Sequence, residues 1–190
     1  IHSPTHTLPH FLLMRKIVIS DIHGCLKTFE ALLDRLAFSK ADALYLLGDY
    51  VDRGPDSKGV IDRIWRLQKD GYHTECLKGN HEELVLRAAS GNFTYLEKWL
   101  KTDGKDTMDS FGVTQCSDIP VQYLDWMTAL PYYLEVGNYL LVHAGLDFNL
   151  NDPLSDTSEM CWLRDWHPNI RYDWLDGRIS GVGKVTYPDG

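Results

Sequence analysis

The chain has 190 residues, of which 44% are hydrophobic and 24% are charged, and its formal net charge is −8 at pH 7. This length and composition fit a single globular domain and exclude a disordered, collagen-like or coiled-coil chain. Because 27 acidic side chains outnumber 19 basic ones, the protein has no broad positive field, and we expect no dedicated nucleic-acid binding.

Cysteine spacing and hydropathy bear on the cellular compartment. The four cysteines lie far apart and form no Cys-x-x-Cys pair, so the sequence favours neither a zinc ribbon nor a disulfide framework. No apolar run reaches the roughly 18–20 residues that a membrane span requires, and residues 1–13 lack the basic lead and long apolar stretch of a signal peptide. We therefore expect a cytoplasmic protein without membrane contact, with an N-terminal extension at residues 1–13 and one domain at residues 14–190.

The first half of the chain predicts three successive units of strand, loop and helix. Each strand is a short apolar or β-branched run that ends at a polar loop, and the first two helices carry apolar residues three and four positions apart. This repeat favours an α/β layered core in which the loops after the strands gather along one edge of the sheet. The predicted strands are Lys16–Ser20, Ala43–Leu47 and His73–Leu77, and the predicted helices are Thr28–Phe38, Ser57–Lys69 and Glu82–Ala89.

The second half of the chain predicts helices followed by a hairpin. Residues 90–119 are polar and aromatic, and we expect them to form helices and a loop over the same edge, followed by a short helix at residues 120–130. Two further strands are separated by a dipeptide typical of a tight hairpin turn, so at least one antiparallel pair accompanies the repeated units. The strands are Tyr132–Val136 and Tyr139–His143, and the dipeptide is Gly137-Asn138.

Candidate metal ligands stand in the loops that follow the strands, and hard or borderline divalent cations bind carboxylate, amide oxygen and imidazole. Gly24 relieves the tight turn through which Asp21 and His23 reach one ion, and Gly48 allows close backbone approach beside Asp49, which is suited to bridge two ions. Each ligand type alone is more often a helix cap, a turn residue or a core histidine. The five candidates, on four loops, are Asp21, His23, Asp49, Asn80 and His143.

Four blocks of the sequence match a known family pattern in order and rough spacing. They are Asp21-Ile22-His23-Gly24, Gly48-Asp49-Tyr50-Val51-Asp52-Arg53-Gly54, Gly79-Asn80-His81-Glu82 and His143-Ala144-Gly145, with a shorter match at Trp162-Leu163-Arg164. From about Met14 to Asp165 the chain resembles the phosphoprotein-phosphatase branch of the calcineurin-like metallophosphoesterases, particularly the small bacterial-type serine/threonine protein phosphatases. The resemblance implies a layered α/β/β/α sandwich in which strand-end loops form a dinuclear metal site.

The resemblance also implies how the metal ligands are divided. Asp21, His23 and Asp49 would hold one divalent ion, and Asp49, Asn80 and His143 would help to hold the second. We expect manganese first, with iron, zinc or magnesium as alternatives. Two such ions can present a shared water as hydroxide and neutralise charge on an in-line phosphoryl displacement, which needs no covalent phospho-enzyme.

The remaining matched residues would act on the substrate. The resemblance implies that Asp52 orients His81, that His81 protonates the leaving oxygen, and that Arg53, Asn80 and Arg164 bind the phosphate. An imidazolium paired with a carboxylate is poised as a general acid near neutral pH. Taken alone, Asp52 and Arg53 would more often form a surface ion pair or a turn. Beside the other blocks the functional role is favoured, because the planar fork of arginine matches phosphate oxygens.

The pattern departs from the family after the Trp162-Leu163-Arg164 segment. The family normally adds a histidine in a Gly-His block further on, whereas the last histidine here is His167, three residues beyond Arg164. Either the second metal site is one ligand short, or residues are missing near Ile179–Ser180. Because every earlier block is intact, we expect the second explanation, with a break in the backbone at that junction.

Three functions compete at this point. The leading hypothesis is a serine/threonine-type protein phosphatase acting on a phosphorylated protein or a small phosphate ester. A symmetrical dinucleoside-tetraphosphate hydrolase, acting on a nucleotide, carries similar blocks and is the alternative. A non-catalytic module that binds a phosphorylated partner is the third, and only the absent histidine supports it.

Overall fold

The computed structural model describes residues 14–164, together with the backbone of two strands at residues 171–175 and 178–183. Residues 1–13 and His167 lie outside the described part of the chain. The strands are β1 (Arg15–Ile19), β2 (Asp42–Leu46), β3 (His73–Cys76), β4 (Tyr133–Val136), β5 (Tyr139–Val142), β6 (Arg171–Leu175) and β7 (Arg178–Gly183). The helices are α1 (Leu26–Arg35), α2 (Ser57–Lys69), α3 (Asn80–Ala89), α4 (Phe93–Thr102), α5 (Gly104–Phe111), α6 (Val121–Ala129) and α7 (Glu159–Trp162), with a 3₁₀ turn at Cys116–Asp118.

A parallel sheet of three strands, in the order β1-β2-β3, forms the centre of the described chain. All five residues of β2 are buried, as expected for the middle strand of a parallel sheet that is covered on both faces. On one face, Leu44 and Leu46 pack into the main core with buried residues of α1 and α2, among them Phe29 and Ile64. The two crossover helices therefore form one layer beside the sheet.

The opposite face of β2 packs on an antiparallel hairpin formed by β4 and β5. Ala43 and Tyr45 contact Val136, Leu134 and Leu141 of this hairpin. Side chains alternate across a strand, so β2 can serve the helix layer and the hairpin layer at once. Helices, parallel sheet and hairpin thus stack in layers, and the predicted α/β fold class is confirmed.

The junction between Ile179 and Ser180 lies within β7. In the antiparallel pairing of β6 with β7, Ile179 lies opposite Trp174 and Ser180 lies opposite Asp173. The hypothesis that residues are missing at this junction stays a prediction. None of the helices in the described part of the chain is long and apolar enough to cross a membrane.

Helix α1 ends three residues before the predicted boundary because the chain turns into the left-handed region at Ala37. Ala37 has φ 48°, and its N–H donates to the carbonyl of Asp34, while the N–H of Phe38 donates to that of Leu33. This pair of hydrogen bonds is the Schellman arrangement, in which glycine usually occupies the left-handed position. An alanine there gives no sequence signal for the end of a helix.

Replacing Ala37 by glycine is expected to stabilise the protein. The left-handed conformation costs a non-glycine residue roughly 1–2 kcal/mol, and part of the gain is offset by the greater freedom of glycine in the unfolded chain. Ala37→Gly should therefore raise the free energy of unfolding, measured by urea denaturation, by about 0.5–1 kcal/mol. The matched control is Ala31→Gly, at an exposed position inside α1, which should lower it by about 1 kcal/mol. A loss of stability in both variants would contradict the assignment.

Candidate metal centre and active site

The loops after β1 and β2 are joined backbone to backbone. The N–H of His23 donates to the carbonyl of Asp49 at 2.8 Å, and the N–H of Gly24 donates to that of Tyr50 at 2.8 Å. A Cβ at Gly24 would lie 2.6 Å from the carbonyl oxygen of Gly54. The two loops therefore lie closer together than side chains at these positions would allow.

The loops after β2 and β3 meet in the same way. A Cβ at Gly48 would lie 2.6 Å from the Cα of Gly79, which is the close approach that the sequence analysis expected beside Asp49. Helix α3 starts at Asn80, two residues before the predicted start, so Asn80 and His81 lie in its first turn. The backbone N–H of His81 donates to Asp49 Oδ1 at 3.0 Å, where the positive end of the helix dipole favours a carboxylate.

Left-handed backbone conformations are concentrated in these loops. Non-glycine residues rarely adopt a positive φ, and at such positions the strain is held by surrounding structure, typically at functional sites. Among the described residues, all but one of the non-glycine positions with positive φ are candidate site residues, the exception being Ala37. They are Asp21 (φ 54°), His23 (46°), Asp49 (55°), Asp52 (70°) and Arg53 (67°).

His23 presents a buried nitrogen that no hydrogen bond satisfies. Its Nδ1 lies 2.9 Å from the carbonyl oxygen of Val51, which can only accept, so Nδ1 carries the proton. Nε2 is buried without a hydrogen-bond partner and lies 3.5 Å from Asp49 Oδ2. A histidine whose one nitrogen is fixed by a carbonyl and whose other nitrogen is free has the arrangement of a metal ligand.

His143 shows the same arrangement on the other side of Asp49. Its Nδ1 lies 2.7 Å from the carbonyl oxygen of Leu47, which again places the proton on Nδ1. Its Nε2 therefore faces two oxygens that also accept, Asn80 Oδ1 at 3.0 Å and Asp49 Oδ1 at 3.5 Å. Three converging acceptors fit a cation between them.

Two groups of side chains are close enough to hold one ion each, and Asp49 belongs to both. One group is His23, Asp49 and His81, and the other is Asp21, Asp49 and His143. This grouping differs from the division that the family resemblance implied, which placed Asp21 with His23. The ligand atoms within each group lie within 4.8 Å of one another. Oxygen and imidazole donors without thiolate suit hard or borderline divalent cations, so the residues present fit a two-metal site.

His81 is held by a buried carboxylate. Its Nδ1 lies 2.7 Å from Asp52 Oδ2, and its Nε2 lies 3.3 Å from a guanidinium nitrogen of Arg53. Burial lowers the pKa of His81, but the hydrogen bond that it donates to Asp52 and the charges of Asp49, Asp52 and Glu82 outweigh this effect, so the pKa is raised above its usual value. The pair has the geometry of a general acid with its orienting carboxylate.

All nine candidate site residues come together around one cavity of about 300 Å³. His23 and Asp52 are buried behind the cavity wall, in contact with the lining residues Asp49 and His81. Arg53 is also placed by Asp103, whose Oδ2 lies 3.5 Å from its Nε. The seven candidates that line the cavity are Asp21, Asp49, Arg53, Asn80, His81, His143 and Arg164.

Glu82 joins the second and third loops, a role that the sequence analysis did not assign. Its Oε2 accepts from the N–H groups of Asp49 at 2.8 Å and Gly79 at 2.9 Å, and its Oε1 accepts from that of Tyr50 at 2.8 Å. Burial and the charge of Asp49 raise the pKa of Glu82 to about 7, against these three donors. Its place at the third residue of α3, where a carboxylate can cap the helix, is the signal that could have found it.

Trp99 and Thr107 are two further residues that the sequence analysis missed. Both donate hydrogen bonds to Asp52, but they come from α4 and α5, in the segment that was predicted only as helices and a loop. No spacing rule connects residues that lie so far apart in the chain.

Comparison with known proteins places this geometry in context. Residues 14–184 match the family model described as calcineurin-like phosphoesterase. The chain is 35% identical to a symmetrical bis(5′-nucleosyl)-tetraphosphatase from Pseudomonas fluorescens over 188 residues, covering 90% of this chain and 62% of that protein. It is 37% identical to the protein of the same name from Chromobacterium violaceum, covering 67% of this chain and 42% of that protein. The chain thus spans less than two thirds of the length of these curated relatives.

Solved structures share the fold. A protein provisionally described as a diadenosine tetraphosphatase has a TM-score of 0.59 at 24% identity, covering 87% of this chain and 62% of that chain. A protein serine/threonine phosphatase from Saccharomyces cerevisiae has a TM-score of 0.52 at 20% identity, covering 78% of this chain and 46% of that chain. These likenesses concern the fold alone.

Removing the shared carboxylate is expected to weaken both metal sites. Two unit charges 4 Å apart interact by roughly 4 kcal/mol near a protein surface. Loss of the Asp49 charge in Asp49→Asn should therefore weaken each Mn²⁺ binding step by at least about tenfold. Asp21→Asn should weaken one step only, and Asp34→Asn, at an exposed position of α1, should weaken neither. Isothermal titration calorimetry of the metal-free proteins measures both steps. Unchanged binding by Asp49→Asn would rule out the shared ligand.

Removing the Glu82 side chain is expected to loosen the loops that carry Asp49 and Asn80. Glu82→Ala leaves three buried N–H groups without a partner, and each such loss costs about 1–3 kcal/mol. The free energy of unfolding should therefore fall by more than about 2 kcal/mol in urea denaturation. Glu97→Ala, which removes an exposed partner of Lys101, should change it by less than about 1 kcal/mol. Equal effects in the two variants would refute the bridging role of Glu82.

Proposed function

The chain belongs to the calcineurin-like phosphoesterase family, a family of hydrolases, and we propose that it is a metal-dependent phosphoesterase that cleaves a dinucleoside tetraphosphate symmetrically. The observation that carries the catalytic part is the convergence of two ligand groups that share Asp49 on a cavity lined by Arg53 and Arg164. The substrate class comes from the relatives named symmetrical bis(5′-nucleosyl)-tetraphosphatase at 35% identity.

The residues that would hold the two cations are the ligand candidates around Asp49 other than His81, whose Nε2 would serve the leaving oxygen. His23 offers Nε2, His143 offers Nε2 beside the amide oxygen of Asn80, and Asp21 completes the second group. Divalent cations bound there would supply a water of lowered pKa and neutralise phosphate charge. Manganese is our first choice, with iron, zinc or magnesium fitting the same donors.

The arginines would bind the phosphate chain. Guanidinium groups remain charged at all ordinary pH values and offer paired N–H donors to phosphate oxygens. Arg53 and Arg164 both line the cavity, and Arg164 is exposed. A tetraphosphate, with several negatively charged groups in line, suits two arginines at one cavity.

His81 would give a proton to the leaving oxygen from Nε2, because Nδ1 is engaged by Asp52. In the structure, Nε2 lies 3.3 Å from Arg53. An arginine can only donate, so this contact requires an unprotonated Nε2. Arg53 would therefore have to leave Nε2, for instance to bind a phosphate, for His81 to carry its second proton.

The protein-phosphatase hypothesis is now the second candidate. The sequence blocks alone favoured a serine/threonine protein phosphatase, but the relatives at 33–37% identity carry the tetraphosphatase name. A non-catalytic binding module is disfavoured because the pair of His81 and Asp52 is assembled at hydrogen-bond distance. A phosphate-binding module needs no such proton donor.

A substrate panel tests the proposal. Manganese-loaded protein should convert diadenosine tetraphosphate to adenosine diphosphate as the sole nucleotide product, seen by ion-exchange chromatography, and should act more slowly on a phosphoserine peptide. In ¹⁸O water the label should enter the product at the first turnover, as direct attack by water requires.

His81→Ala should lower kcat by about 10²–10⁴-fold, the usual contribution of a general acid. The matched control is His73→Ala, at an exposed position beside Glu75, which should leave kcat unchanged. If the phosphopeptide were hydrolysed faster than the dinucleotide, the protein-phosphatase hypothesis would be favoured. If neither substrate were turned over, the proposed catalytic activity would be refuted.

A further inference from the structure

The carboxylate of Asp52 is enclosed by donors from helices that carry no predicted site residue. Thr107 Oγ1, in α5, donates to Asp52 Oδ1 at 2.6 Å, and Trp99 Nε1, in α4, lies 2.9 Å from both Asp52 oxygens. Asp52, Trp99 and Thr107 are all fully buried. Together with Nδ1 of His81, the carboxylate meets three donors, and its position is therefore fixed from three directions.

Thr107 holds the backbone of Asp52 as well as its side chain. The backbone N–H of Asp52 donates to Thr107 Oγ1 at 2.9 Å and to Ser57 Oγ at 3.0 Å. Because Thr107 gives its one proton to the carboxylate, the Ser57 hydroxyl, 3.1 Å away, donates to Thr107. One hydroxyl thus fixes both ends of a residue that adopts the uncommon φ of 70°.

Trp99 packs closely against the start of α5. A Cβ at Gly104, the first residue of α5, would lie 2.7 Å from Cε2 of the Trp99 ring. The ring therefore lies directly against the backbone of α5. The indole N–H is held on Asp52 while the ring packs against this backbone.

We propose that Trp99 and Thr107 are positioning residues for proton delivery, because they hold Asp52 at the place and angle from which it orients His81. The proposal rests on the proposed phosphoesterase function and adds α4 and α5 to the machinery of the site. Asp52 reaches His81 through Oδ2 at 2.7 Å, while Thr107 holds Oδ1. Loss of the bond to Oδ1 lets the carboxylate rotate and swings the imidazole away from the leaving oxygen.

Paired variants separate positioning from packing. Thr107→Val keeps the shape of the side chain and removes the hydroxyl, whereas Thr107→Ser keeps the hydroxyl and removes a methyl group. Trp99→Phe removes the indole N–H and keeps an aromatic ring in the core. Thr102→Val is the control, because its hydroxyl, at the end of α4, bonds only to backbone carbonyls of its own helix.

Steady-state kinetics with aryl phosphates give the main readout. Thr107→Val and Trp99→Phe should each lower kcat by about tenfold, a fraction of the full general-acid effect, with KM nearly unchanged. The loss should be larger for phenyl phosphate than for p-nitrophenyl phosphate, because a poor leaving group depends more on its proton. Thr107→Ser should restore most of kcat, and Thr102→Val should match wild type.

A double-variant comparison tests whether the effect passes through His81. In a His81→Ala background, Thr107→Val should cause no further loss of kcat, since no proton donor is left to position. A further tenfold loss in that background, or equal losses for the two aryl phosphates, would assign Thr107 to packing and overturn the proposal.

An NMR measurement makes the test independent of turnover. In the metal-free wild type, the proton on His81 Nδ1, bonded to a carboxylate, should give a strongly deshielded signal that exchanges slowly with water. This signal should broaden or vanish in Thr107→Val and persist in Thr107→Ser. If the wild-type protein had no phosphoesterase activity, only the proposed function would be refuted. If the His81 signal were unchanged in Thr107→Val, only the positioning role would be refuted.

Discussion

The candidate site depends on backbone contact between loops that are distant in sequence. Glycines stand where a Cβ would meet the backbone of the neighbouring loop, at Gly24 against Gly54 and at Gly48 against Gly79. The contacts bring Asp49 to the centre, where Glu82 holds its N–H and its two oxygens face different histidines. Hydrogen bonds formed across the loops offset the cost of the left-handed residues.

The fold was largely predictable because its signals are local. The apolar periodicity of α2 and the Gly137-Asn138 turn are each read from a few neighbouring residues, and both elements form where the sequence indicates. The end of α1 was missed because an alanine occupies the left-handed position at residue 37. The break expected at Ile179–Ser180 comes from the family pattern and not from a local signal, and it stays a prediction.

The candidate site was predictable in its motif residues and not in its supports. Asp21, Asp49 and His81 stand in dense blocks, whose order carries information that no single residue carries. Trp99 and Thr107 lie 47 and 55 positions from Asp52 along the chain. Only the folded chain brings their donors to the same carboxylate, so neither composition nor periodicity could name them.

Helices α4 and α5 contribute to the site on two sides. Asp103, at their junction, contacts Arg53, while Trp99 and Thr107 hold Asp52. A graft of the corresponding segment from a relative, made to alter substrate choice, would therefore also replace the donors that hold Asp52 beside His81. Only a segment that places an indole and a hydroxyl at the same positions would keep all three donors on that carboxylate.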